Sequence, residues 1–133
     1  MQAQPMQGDV VPQVLSFLKD SAEVLCGLGV EKARIMLDPG IGFGKTVEQN
    51  FSLLARQTEL LSTGYPLLVG WSRKSSLAGM TASSAAGDTL VAGQRLAPSL
   101  AAALLAVQRG ASVVRVHDVR ETIAVLKVLA AAG

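Results

Sequence analysis

The sequence predicts an α/β fold in which parallel strands alternate with helices, and three observations predict it. Helical and strand-like segments follow one another as α-β-α-β-α-β-α along the 133 residues. The strand-like runs, Ala33 to Leu37, Pro66 to Trp71 and Ala111 to Val116, are short and apolar almost throughout, as strands buried on both faces of a parallel sheet are. Each run also delivers polar residues at its carboxyl end: Asp38, then Ser72 to Ser75, then Arg115 to Asp118. Ligands of such folds sit at the carboxyl ends of the strands, so this coincidence says more than any single motif.

Met1 to Gly8 is polar, carries Pro5, and reads either as a tail or as the end of a strand. Asp9 to about Cys26 has apolar residues at helical spacing, with Asp9 as N-cap and Gly27 and Gly29 as the stop. Thr46-Val47-Glu48-Gln49 fits a capping box. It opens a helix with the stripe Val47, Phe51, Leu54 and Leu61, ending near Ser62 to Gly64. Leu77 to Asp88 reads as a short helical turn and a loop. Thr89 to about Arg109 is helical by composition, and Pro98 implies a kink or a fresh start within it. Asp118 is the candidate cap of the last helix, with Glu121 at its third position and Ile123, Leu126 and Leu129 facing inward.

Half the residues are hydrophobic and 17% are charged, which suits a chain with a sizeable core, as one domain or part of a larger one. A net charge of +2, one Trp and one Tyr give no footprint for nucleic acid. Cys26 is the single cysteine, which excludes an internal disulfide and a multi-cysteine metal site. No apolar run is long enough to span a membrane, and the first residues lack signal-peptide regions. A cytoplasmic location is the expectation.

The stretch Asp38-Pro39-Gly40-Ile41-Gly42-Phe43-Gly44-Lys45-Thr46 places a carboxylate beside a glycine loop where a flat ligand can approach the backbone. It is neither a P-loop, since Pro39 stands where the first glycine is needed, nor a dinucleotide loop, since Lys45 stands at the third. Lys74 offers a mobile ammonium and Ser75 a hydroxyl. Arg115 and His117, two apart on one strand, share a face and together suit a phosphate or pyrophosphate. A charge on an apolar strand is costly unless paired or used, so Arg115 either meets a carboxylate or serves a ligand. No pair of histidines supports zinc hydrolysis, and there is no G-x-S-x-G elbow.

Taken with Gly70-Trp71-Ser72-Arg73-Lys74-Ser75 and Arg115-Val116-His117-Asp118-Val119, the glycine-loop stretch resembles dihydropteroate synthase, in order and in spacing. Met1-Gln2 with Met6-Gln7 resembles the end of that family's fifth strand. The resemblance implies that residues 1–133 are a partial pterin-binding domain, the C-terminal half of a TIM-type (β/α)8 barrel, from the end of strand five to helix eight. It implies a transferase of folate biosynthesis that condenses 6-hydroxymethyl-7,8-dihydropterin pyrophosphate with p-aminobenzoate, giving 7,8-dihydropteroate and pyrophosphate. By the same resemblance Asp38 hydrogen-bonds the pterin and Gly42 lets it approach. Lys74 contacts the pterin between the two substrates, Phe43 lines the benzoate pocket, Ser75 receives the benzoate carboxylate, and Arg115 and His117 hold the leaving pyrophosphate. Lys74, Arg115 and His117 are thus the implied catalytic set. Magnesium is the implied cofactor, with its asparagine ligand in the half of the barrel not present here, so no metal ligand is expected in this chain. The family is also a sulfonamide target. A complete barrel takes about 250 residues, so this half alone is expected to be inactive and to self-associate, as a homodimer or otherwise, through unpaired strand edges. Two other readings stand beside this one: a non-catalytic half-barrel, and the methyltetrahydrofolate-binding module of a corrinoid methyltransferase. The latter shares the barrel and aspartate but has no pyrophosphate to release. The proline of Leu96-Ala97-Pro98-Ser99 replaces a glycine common in the family, at a helix turn rather than in the site.

Overall fold

The computed structural model describes residues 7–72, 74 and 96–133. Helix α1, Val10–Gly27, begins where expected: the Asp9 carboxylate accepts from the Val11 N–H at 3.1 Å. The same carboxylate takes two hydrogen bonds from Arg56, at 3.0 and 2.9 Å, so the cap also ties α1 to the middle of the chain. Helix α1 turns back through Gly29, with Val30 N–H donating to Leu25 C=O and Gly29 N–H to Cys26 C=O. This double closure needs a residue at positive φ, and Gly29 stands at 97°.

The expected first strand, Ala33 to Leu37, begins inside a 3-10 turn, Lys32–Arg34, and Ile35 and Met36 join no ladder among the described residues. Only Leu37 forms a parallel bridge, to Leu67, with Leu37 N–H donating to Pro66 C=O and Leu68 N–H to Leu37 C=O. The turn closes Ile35 N–H onto Lys32 C=O, which removes residues 33 and 34 from any ladder. Helix α2, Val47–Ala55, opens with both bonds of the capping box between Thr46 and Gln49. The chain then tightens into a 3-10 helix, Gln57–Thr63, closed by Gly64 at φ 81°. That change corrects the expected stripe. Leu53, Leu54 and Leu60 are buried, whereas Val47, at the first position of α2, and Leu61 are each 40% exposed; at Leu61 a turn of three residues has rotated the face away from a 3.6-residue period.

Strand β1, Leu68–Val69, pairs in parallel with β2, Val113–Val114, in the register Leu68 to Val113. With the bridge at Leu37, the three predicted strand positions lie side by side in chain order. Helix α3, Leu96–Gln108, carries Pro98 in its first described turn. It ends as α1 does, with Gly110 at φ 98° between Gly110 N–H to Val107 C=O and Ala111 N–H to Ala106 C=O. Helix α4, Val119–Ala132, packs on α3. Asp118 does not cap it through its side chain; its carbonyl instead accepts from the Thr122 N–H and hydroxyl. Ile123 is exposed rather than inward, Leu126 and Leu129 are half-buried, and Thr122 is the buried residue of this helix.

The core joins one face of α1 (Val10, Val11, Val14, Leu18, Ala22) to Leu53 and Leu60, and to Leu37, Leu67, Val69 and Trp71 on the strand segments. Each fully buried Leu or Val contributes about 1.5–3 kcal/mol, and that layer fixes the strand ends relative to one another. Two buried amides complete the frame. Gln57, 2% exposed, donates to Ala106 C=O at 2.9 Å and Arg109 C=O at 3.1 Å, satisfying carbonyls at the end of α3. Asn50, 1% exposed, accepts from Gly42 N–H at 3.0 Å and so anchors the glycine loop on α2. No described helix is long and apolar enough to cross a membrane. The helical turn and loop expected at 77–88, the start of the helix at 89–95, and Met1 to Met6 lie outside the described residues.

Candidate functional site

The parallel strand segments put three chain positions on one edge. A cleft of about 300 Å³ opens there, lined by Gly70, Ser72, Lys74, Arg115, Val116 and His117. Three of the residues singled out in the sequence, Lys74, Arg115 and His117, therefore meet in one place. Asp38 joins them from the neighbouring strand position: its Oδ2 accepts from Arg115 Nη1 at 3.3 Å. Its Oδ1 accepts from Gly40 N–H at 2.8 Å, which folds the start of the loop back on the carboxylate.

Arg115 is not the buried charge that an apolar strand suggested. It follows β2 rather than lying within it, and its side chain is 56% exposed beside the 39% exposed Asp38. The expected desolvation therefore does not apply, and the exposed pair holds together weakly. The guanidinium passes close over Gly70, where an added Cβ would stand 2.6 Å from Nη2 and 3.0 Å from Cζ. Gly70 thus shapes the site by having no side chain.

Lys74 crosses the glycine loop from the other side. Its Cδ would lie 3.6 Å from a Cβ on Gly42, and its Nζ sits 5.0 Å from the centre of the Phe43 ring, within cation–π range. Phe43 is 55% exposed and so presents a free aromatic surface. Lys45 works inside the loop, donating to Gly40 C=O at 2.7 Å and Phe43 C=O at 2.9 Å. Burial holds its ammonium pKa below the ordinary value, against the opposing pull of Asp38. Beside the loop, Phe17, Leu18, Pro39 and Phe43 border a second, mainly apolar cavity of about 330 Å³ that Asp38 and Lys45 also reach.

Ser72 is buried and bridges two strand ends. Its Oγ accepts from His117 N–H at 3.1 Å and lies 2.9 Å from His117 Nδ1. Neither this bridge nor the Asn50 anchor was singled out in the sequence. Both depend on partners brought close by folding, although Ser72 does sit inside the Ser-Arg-Lys stretch. Ser75, expected to receive a carboxylate, lies outside the described residues, as does Arg73. Among the described residues no three His, Cys, Asp or Glu side chains come close enough together to hold a metal ion.

Residues 1–117 match the pterin binding enzyme family. Over its whole length the chain is 46% identical to a dihydropteroate synthase of Neisseria meningitidis serogroup C, covering 45% of that protein. Over 98% of its length it is 40% identical to the dihydropteroate synthase of Escherichia coli K12, covering 44% of it. A solved dihydropteroate synthase from Stenotrophomonas maltophilia, with imidazole bound in its active site, superposes on 99% of this chain with a TM-score of 0.91 and 43% identity, over 48% of the solved chain. The Xanthomonas albilineans enzyme in complex with 7,8-dihydropteroate superposes on 96% of this chain with a TM-score of 0.89 and 41% identity, over 47% of the solved chain. The chain thus spans about half the length of the relatives it matches, and its fold is that of half of their (β/α)8 barrel.

Proposed function

Since the chain belongs to the pterin-binding enzyme family, we propose that residues 1–133 form one partial barrel domain and supply one side of a dihydropteroate synthase site. The reaction joins the amine of p-aminobenzoate to the methylene of 6-hydroxymethyl-7,8-dihydropterin pyrophosphate. The carbon–oxygen bond to pyrophosphate breaks, a carbon–nitrogen bond forms, and the amine loses a proton. The observation that carries this reading is the shared cleft of Lys74, Arg115 and His117, joined through Arg115 to Asp38.

The pterin-methyl centre needs no protein nucleophile, because the electron-rich ring stabilises the charge left by the departing pyrophosphate. Positioning and neutralisation of the leaving anion are then the main demands. Asp38 accepts from the pterin ring, and Gly42 leaves room for the ring to approach. Lys74, held over Phe43, reaches both substrates, while Phe43 offers the benzoate ring an apolar wall and Ser75 meets its carboxylate. Arg115 and His117 take the pyrophosphate.

Bound magnesium would supply charge neutralisation to the pyrophosphate, beside Arg115 and His117. Its protein ligand, by the family resemblance, would be an asparagine in the other half of the barrel. A homodimer or another self-associated state, a cytoplasmic location and sulfonamide binding complete the proposal.

The test joins these residues to the N-terminal half of a relative's barrel and follows dihydropteroate formation. Product is expected, and Lys74→Ala should abolish it. A folded chimera that forms no product and binds neither pyrophosphate nor a dihydropterin would refute the reading.

A further inference from the structure

Ser72 and His117 follow β1 and β2 respectively and are tied twice. The backbone N–H of His117 can only donate, so Ser72 Oγ accepts there at 3.1 Å. The hydroxyl then has its own hydrogen to place, in a residue only 7% exposed. Among the described residues its one remaining neighbour is His117 Nδ1, at 2.9 Å. If Nδ1 carried a proton, two donors would face one oxygen and the buried hydroxyl hydrogen would have no acceptor among the described residues. The loop is satisfied throughout only when Nδ1 accepts, which puts the ring hydrogen of the neutral imidazole on Nε2. Nε2 is the ring nitrogen left for whatever enters the cleft that His117 lines.

We propose that Ser72 is a positioning residue: it holds the His117 ring in one orientation and one tautomer, so that Nε2–H is a ready donor to the pyrophosphate. This rests on the reading of Arg115 and His117 as the anion site. With its one hydrogen given to Nδ1, the Ser72 hydroxyl has no donor left for an anion and acts through the imidazole.

His117 is the sole histidine of the chain, so its ring nitrogens can be read in the 133-residue protein without assignment. Long-range proton–nitrogen correlation on the 15N-labelled chain, in alkaline buffer, reports the tautomer. The wild type should show two widely separated nitrogens, with Nδ1 unprotonated and shifted by an accepted hydrogen bond. Ser72→Ala should narrow the separation as the ring exchanges between tautomers, and Ser72→Thr, which keeps the hydroxyl, should restore it. Pyrophosphate affinity should fall by roughly two- to fivefold in Ser72→Ala, as the competent fraction of ring states falls, and recover in Ser72→Thr. A wild-type ring protonated at Nδ1 overturns the proposal. So does an unchanged separation in a Ser72→Ala chain whose amide spectrum remains folded. If the alanine variant unfolds, the wild-type and threonine spectra decide by whether Nδ1 accepts. Pyrophosphate that moves no imidazole resonance of the wild type overturns the anion-site reading instead, whatever the tautomer.

Discussion

Replacing Gly70 with alanine moves Arg115 without touching it. The new Cβ would stand 2.6 Å from Nη2, 3.0 Å from Cζ and 3.2 Å from Nε. Carbon and nitrogen atoms pack best near 3.5–4.0 Å, so the guanidinium must lift by about 1 Å. The Arg115–Asp38 contact, at 3.3 Å already longer than a good charge-assisted bond, then opens. Stability should barely change. The exposed pair is worth about 0–1 kcal/mol, and Gly70 lies outside the left-handed region, so alanine returns about 0.4–1 kcal/mol by restricting the unfolded chain. Pyrophosphate binding should suffer more, since losing one charge-assisted contact costs about 1.5–3 kcal/mol, or roughly ten- to a hundredfold in affinity. Urea unfolding and titration calorimetry on the same preparation separate the two effects. A Gly70→Ala chain that binds pyrophosphate as the wild type does, while Arg115→Ala does not, would refute the claim that the guanidinium must lie where this glycine allows it.

Other substitutions test the frame and the site separately. Arg115→Lys keeps the charge but loses the planar fork, so calorimetry should show weaker pyrophosphate binding and nearly unchanged binding of an unphosphorylated pterin. Gln57→Leu strips two donors from the Ala106 and Arg109 carbonyls and should destabilise the chain by about 1–3 kcal/mol in urea unfolding. Arg56 and the Val11 amide hold the Asp9 carboxyl below its ordinary pKa. The Asp9 contribution is therefore whole above the ordinary carboxylate pKa and is lost as pH falls through the lowered native one. Asp9→Asn should flatten the acid limb of stability against pH, measured by thermal unfolding between neutral and strongly acidic buffer. Sedimentation at micromolar concentration should show self-association, which Ile123→Lys and Val128→Lys on the exposed side of α4 should reduce; these residues are 48% and 69% exposed.

What could be read from the sequence was mostly local. Asp9 and the Thr46–Gln49 box announce their helices because a cap and its amide lie within three residues. The parallel order was legible because the apolar runs have no polar alternation. The first run failed as a strand since a ladder depends on a neighbour, and Leu37 alone finds one on the described edge. Leu61 was misplaced because nothing in the sequence marks the change from an α-helix to a 3-10 helix at Gln57. The cleft residues were legible by type and position, Arg115 included, but its exposure was not. Asn50 and Gln57 were invisible because their partners lie 8 residues and about 50 residues away along the chain. A polar residue on a helix looks like surface until the fold puts a backbone group beside it.

Asp38 gives each of its oxygens to a different part of the molecule, one to the loop backbone and one to Arg115. Two kinds of ligand therefore compete with one internal contact. An anion that draws the guanidinium toward itself releases Oδ2, and a hydrogen-bond donor that takes Oδ2 releases the guanidinium. Whichever arrives first breaks the contact, and the second finds it already broken. The two affinities should then reinforce one another by the same factor in either order of addition. Asp38→Asn, which weakens the internal contact beforehand, should shrink that factor, measured as the ratio of pyrophosphate affinities with and without a saturating pterin. A ring and an anion carried on one molecule would gain the whole of this reinforcement in a single binding event.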